Sequence, residues 1–349
     1  MSSKNRMQHW KRRVVASFLA LISGVFGMPL DVSAATRHYY IQAEDVVWDF
    51  APSGQNLIHG GPIPAPWTNS HTFSKTRYIE YTDATFSTKK PQPEWLGVLG
   101  PILRAEVGDT VRVHFRNQAS SGSYGIHPHG LRYTKDHEGA HYTGVNTGQP
   151  PGAGAEVPTG GSFDYKWIAD AESGPASGDA SSIVWWYHSH VDEPTETNAG
   201  LLGPIIVTRK GAARPDGSPK DVDREFVAAF FIFDELNGAE EGLMHGINGY
   251  IFGNLKGLVM AHGERVRWHL LGMGNELDLH TPHWHGKTLR VGGARHAHRT
   301  DVVELLPGSM VTADMRANNP GEWMLHCHVA DHTAGGMLTS YQILPRKRR

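Results

Sequence analysis

The sequence predicts an all-β protein made of two β-sandwiches, the second a copy of the first. Three observations carry this. The 349 residues include 40 glycines and 21 prolines, a turn-rich composition that suits many short strands. Two segments alternate with period two. In GDTVRVHFRN (108–117), Val111, Val113 and Phe115 alternate with Arg112, His114 and Arg116; in GERVRWHLLG (263–272), Val266, Trp268 and Leu270 alternate with Arg267 and His269. Period two marks a half-buried strand. Finally, these segments head two series of matches in the same order. HPHG (127–130) answers HTPHWHG (280–286), and WWYHSHV (185–191) answers WMLHCHV (323–329). A repeated order of motifs implies duplication of one unit.

The elements follow in chain order. Lys11–Arg13 precede an apolar run, and a small-residue stretch ends at Ala35, so residues 1–35 read as a signal peptide. Arg12 and Arg13 fit a twin-arginine signal as well as an ordinary secretory one. The apolar run is too short for a membrane span. The protein is therefore expected to be exported, to the periplasm or outside the cell. Residues 36–210 form the first domain and 222–346 the second. Between them, 211–221 form a Pro/Gly-rich linker. A net charge of −2 gives no reason to expect a nucleic-acid or membrane partner. The terminal RKRR (346–349) reads as a solvated tail.

The chain has 22 histidines, and ten of them fall in four clusters. These hold His127 and His129; His188 and His190; His280, His283 and His285; and His326, His328 and His332. An HxH pair on a strand turns both imidazoles to one face. One such pair is unremarkable, but four at repeat-related positions point to metal. A structural zinc ion needs only four ligands, so this many imidazoles suggest a metal cluster. His296 and His298 form a fifth pair outside the repeat and read as surface residues.

The single cysteine, Cys327, lies between His326 and His328. An exported protein with one thiol cannot form an internal disulfide. Two histidines, a cysteine and a weak axial methionine are the blue-copper ligand set. His332 and Met337 follow Cys327, and His280 is the unpaired leader of its cluster. A gap-free overlay puts Tyr124, Ser189, Pro194 and Ala199 of the first half at the positions of His280, Cys327, His332 and Met337. All four ligands are missing there together, while both HxH pairs remain.

In this order, HxHG, HxH, HxxHxH and HCHxxxHxxxxM resemble the four copper motifs of the multicopper oxidases. EWLGVLGPILRAEVGDT, HPHGLRYTKDHEGA, GMGNELDLHTPHWHG and NNPGEWMLHCHVADHTAGGM are similar to ceruloplasmin-type domains, over about residues 38–345. With one blue site in two domains, the chain also resembles the two-domain bacterial laccases. The resemblance implies two cupredoxin-like Greek-key sandwiches and about four coppers per chain. It implies type 1 copper on His280, Cys327, His332 and Met337, and type 2 copper on His127 and His283. It implies one type 3 copper on His129, His188 and His328 and the other on His190, His285 and His326.

The implied reaction is one-electron oxidation of a reducing substrate at type 1 copper, coupled to reduction of O2 to water at a three-copper cluster. Asp136, Glu138 and Tyr133, just past HPHG, are candidates for proton supply. Neither half has all eight cluster histidines, so the cluster must form between domains. Two-domain relatives form trimers, and three chains of two give the six domains of ceruloplasmin, so a homotrimer is expected. Glu240 and His245 match a Glu-x4-His pattern of ceruloplasmin domains, and Asp331 precedes His332, which favours Fe(II) as substrate. Phenols and aromatic amines are the competing class. A copper nitrite reductase would have no use for four HxH pairs, and a simple electron carrier would need only the type 1 ligands.

Overall fold

The computed structural model describes residues 34–274, 277–292 and 297–346. Residues 1–33 of the expected signal sequence, His296 and the last three residues of the basic tail lie outside them. Strand Thr110–Asn117 buries Val111, Val113 and Phe115 and leaves the alternate residues half-exposed, as period two requires. It pairs in parallel with Thr36–Asp49, which in turn pairs with Thr72–Tyr81; Ser162–Ile168 closes the other side of this four-stranded sheet. A second sheet has the order Leu103–Glu106, Leu202–Thr208, Ser182–His188, His127–Pro128. Tyr78, Phe115, Tyr165, Trp167 and Tyr187 fill the space between the two sheets.

The later strands repeat this plan. Arg224–Asp234 and Arg265–Gly272 form the parallel pair of a six-stranded sheet. The facing sheet has the order Val259–Ala261, Leu338–Leu344, Gly321–Cys327, Pro282–Trp284. Trp268, Trp284, Leu325 and Tyr341 lie in this second core.

Two departures from the sequence expectation matter. Arg267 and His269 were expected on the open face of their strand, yet both are buried. The reason is a further core shared by the two halves, where Phe50, Val98 and Trp186 pack with Val227, Phe231 and Ile251. Both buried polar groups are paired, as burial demands. Arg267 is bidentate to Asp314 at 2.7 and 2.9 Å and reaches Ser181 and Ser182. His269 Nε2 lies 2.9 Å from Glu225, which also receives Arg104. The second departure is a pair of short helices, Glu193–Ala199 and Ala330–Ala334, one just after each second HxH pair. Among the described residues no helix is long and apolar enough to cross a membrane. His298 is exposed, as a surface residue should be.

Candidate metal centre

Strand register brings the histidines together. His127 lies opposite His188 in one antiparallel pair. His283 lies opposite His326 in the repeat-related pair. Because i and i+2 share a face, each register gathers two HxH pairs into a quartet.

In the first quartet the His127 ring centroid is 5.5 Å from His129, 5.6 Å from His188 and 5.2 Å from His190. In the second, His283 is 4.9 Å from His285, 5.3 Å from His326 and 5.5 Å from His328. Each quartet has one close contact between Nε2 atoms: 3.0 Å for His129 and His188, and 3.1 Å for His285 and His326.

Backbone carbonyls set the tautomers. Nδ1 of His127 donates to Glu138 O at 2.7 Å, and Nδ1 of His188 to Ser189 O at 2.9 Å. Nδ1 of His283 donates to Asp301 O at 2.9 Å, and Nδ1 of His326 to Cys327 O at 2.6 Å. With the proton on Nδ1, each of these rings offers the Nε2 lone pair, and a partner on the far nitrogen is how proteins orient metal-binding imidazoles. Burial, then neighbouring histidines, hold His129 down to about 4. Burial likewise holds His188 at about 4, against its bond to Ser189. These rings are neutral at ordinary pH, the form that binds metal.

The thiol site is separate and fully enclosed. His280, Cys327, His332 and Met337 are all buried. His280 Nδ1 and His332 Nδ1 are 3.2 Å apart, and Cys327 Sγ is 3.6 Å from His332 Nδ1. Helix Ala330–Ala334 returns His332 to the cysteine, and the Met337 N–H donates to His332 O at 2.9 Å. Asp278, which the sequence reading missed, lies 3.0 Å from His280 Nε2. Its signal was the DxH spacing, which places both side chains on one face of an extended segment. Burial would push the Cys327 thiol up, but hydrogen bonds with His280, His332 and the Thr281 N–H bring it down to about 6. A thiolate between two imidazoles fits a soft transition-metal ion.

A family model described as multicopper oxidase matches residues 79–212, and a second with the same description matches 229–347. The chain belongs to the multicopper oxidase family. It is similar to Ferroxidase HEPHL1 of Homo sapiens, at 39% identity over 93% of this chain and 30% of that one. Hephaestin of Homo sapiens is 39% identical over 90% of this chain and 30% of its own length. Ceruloplasmin of Homo sapiens is 36% identical over 89% and 32%. The chain thus spans about 30% of the curated relatives it matches. Two solved multicopper oxidases share the fold. One has a TM-score of 0.64, 21% identity and coverage of 88% of this chain and 89% of its own. The other, mgLAC, has 0.60, 22%, 89% and 86%. The two sandwiches are of the cupredoxin type, and copper is the multicopper oxidase cofactor.

The remaining candidates are less tightly gathered. The Tyr133 ring stands 5.8 Å from His127. Glu138 gives His127 its backbone carbonyl, while its carboxylate is held by Lys135 at 2.6 Å and Tyr142 at 2.9 Å. Asp136 is exposed and accepts from the Ala153 N–H. His245 is buried with its ring 5.3 Å from His332, and burial followed by that neighbour lowers it to about 4. Asp331 and Glu240 are exposed, Asp331 on the helix that carries His332 and Glu240 on the turn leading to His245.

Proposed function

We propose that this chain is an oxidase that takes single electrons from a reducing substrate beside His332 and uses them to reduce O2 to water at a cluster held by the eight quartet histidines. The observation that carries this is the pair of matching quartets, with a buried thiol one residue from the second. His188 and His326 each direct an Nε2 lone pair at a second imidazole nitrogen, an arrangement that needs a proton or a cation between the two. Copper, when bound, supplies one-electron transfer at the thiolate site and dioxygen reduction between the imidazoles.

The residues have distinct tasks in this reading. His280, Cys327, His332 and Met337 hold type 1 copper. His127 and His283 hold type 2. His129, His188 and His328, and His190, His285 and His326, hold the type 3 pair. Cys327 joins His326 and His328 through the backbone, with His326 on the same strand and His328 just past its end. The loop carrying Tyr133, Asp136 and Glu138 lies behind His127 and supplies protons. Domains 36–210 and 222–346 each contribute one quartet, and a homotrimer joins the first quartet of one chain to the second of its neighbour. Among the described residues, the histidine-to-histidine ring contacts of each quartet stay within that quartet, which supports closure by a second chain. The protein works after export, in the periplasm or outside the cell.

Fe(II) is the substrate class best supported. His245 and Asp331 flank His332, Glu240 lies on the turn leading to His245, and carboxylate with imidazole suits iron. Ferroxidase HEPHL1, to which the chain is similar, carries that reaction in its name. Steady-state rates on Fe(II) and on a methoxyphenol test this in wild type and in a Glu240→Ala/Asp331→Ala variant. Loss on iron alone is expected. Equal loss on both substrates, or none, would count against this metal site.

A further inference from the structure

We propose that Glu196 is a positioning residue for His188 and His190, seated in the earlier half where His332 sits in the later one. Backbone hydrogen bonds set this correspondence. The Cys327 N–H donates to Met337 O at 3.0 Å, and the Ser189 N–H to Leu201 O at 3.0 Å. The Met337 N–H returns to His332 O at 2.9 Å, and the Leu201 N–H to Glu196 O at 3.0 Å. Both turns therefore close in the same way. A gap-free overlay puts Pro194 at the place of His332, but the earlier turn is the longer one, and its closing bonds move the match to Glu196. The position under the turn corresponds too. The Gly125 N–H donates to Ser189 Oγ at 3.1 Å, as the Thr281 N–H does to Cys327 Sγ at 3.4 Å.

The Glu196 side chain is buried, at 5% exposure. A buried carboxylate is costly without donors, and this one has three. It accepts from the Ser189 hydroxyl, from the Val191 N–H at 2.9 Å and from the Asp192 N–H. These donors bracket His190, one before it and two after. His190 depends on them because strand Ser182–His188 ends before it, and the last ladder pair is His188 with Leu202. His188 is held by the same knot at one remove, since its Nδ1 donates to Ser189 O at 2.9 Å. Partners of this kind orient metal-binding imidazoles.

The change of residues between the halves is chemically matched. Cys327 Sγ and His332 Nδ1 face each other at 3.6 Å in the later half, a pair that suits a soft metal ion. Ser189 and Glu196 are a hydroxyl and a carboxylate, which satisfy each other with a hydrogen bond. The earlier turn is thus tied by hydrogen bonds and needs no metal to hold its shape.

This inference rests on the assignment of the eight histidines to the cluster. The test compares full-length wild type with Glu196→Gln and with Val113→Ala, a buried position on the other sheet of the same sandwich. An amide has one acceptor oxygen and adds two donors of its own, so glutamine cannot serve all three partners. The readouts are amide hydrogen exchange in metal-free protein, and the blue band and half-time of cluster-copper loss to EDTA in copper-loaded protein. Glu196→Gln is expected to exchange the Val191 and Asp192 amides at least about tenfold faster than wild type. It is also expected to keep the blue band but lose cluster copper at least about tenfold faster. Val113→Ala should lower the denaturant midpoint and leave both rates at their wild-type values. Wild-type copper loss in Glu196→Gln would overturn the positioning role. Equal acceleration in both variants would assign the effect to general loosening and overturn it too. Wild type that takes up no cluster copper would overturn the histidine assignment, and with it the role proposed for Glu196; faster exchange in Glu196→Gln would then mark a purely structural tie.

Discussion

Asp278 Oδ1 sits 3.0 Å from His280 Nε2 and also accepts the Ile232 N–H at 2.7 Å. The carboxylate fixes the ring so that Nδ1 turns towards Cys327 and His332. Removing it as Asp278→Ala is expected to weaken copper binding at the thiolate site by about 10–100-fold. Chelator titration followed through the blue absorption checks this. An unchanged midpoint would show that packing alone orients His280.

Cys327→Ser should abolish the blue absorption and leave the copper of the histidine quartets in place. The side chains of His326 and His328 lie on the opposite face of the strand from the thiol, so the substitution leaves their positions unaltered. Optical and electron paramagnetic resonance spectra of the loaded protein test it. Blue absorption surviving in the variant would disprove the ligand assignment.

Gly335 is a packing constraint behind His332. A Cβ there would lie 2.4 Å from His245 Cδ2, and the His245 ring is confined by Trp67 and His332. Gly335→Ala should cost about 1–3 kcal/mol of stability and displace His245. Denaturant unfolding measures the first effect, and relative rates on Fe(II) and a phenol the second. A variant with wild-type stability would show that the ring moves aside freely.

The shared core carries a pH dependence. Burial lowers the pKa of His269 despite its bond to Glu225. Burial would raise Glu225, but His269 and Arg104 bring it below its usual value. Both groups therefore bind fewer protons folded than unfolded, so stability rises with pH through the window below the unfolded values. His269 contributes on acidification below about 6.5 and Glu225 below about 4.5. The melting temperature of metal-free protein should fall from pH 7 to pH 5. His269→Asn should flatten that slope by up to one proton, about 1.4 kcal/mol per pH unit. An identical slope in the variant would refute the assignment.

Much of this was legible in the sequence because it is periodic. Alternation at Val111, Val113 and Phe115 gave the strand, and the HxH spacing gave the shared face. The overlay of Ser189 on Cys327 gave the asymmetry between the halves. What was not legible depends on contacts across the fold. Arg267 and His269 alternate like surface residues, yet a second sandwich covers them, and local pattern carries no information about that cover. Helix Glu193–Ala199 was missed because seven residues are too few for helical period to stand out. Asp278 acts through His280, and its DxH spacing is too common a pattern to single it out before the fold places the two side chains together.

Both halves turn through a short helix after their second HxH pair, at Glu193–Ala199 and at Ala330–Ala334. In the later half that turn delivers an imidazole to sulfur; in the earlier half it delivers a carboxylate to a hydroxyl. The same step in the chain path carries different side chains in the two halves, so the division of labour within this chain resides in what each turn presents and not in the path of the backbone.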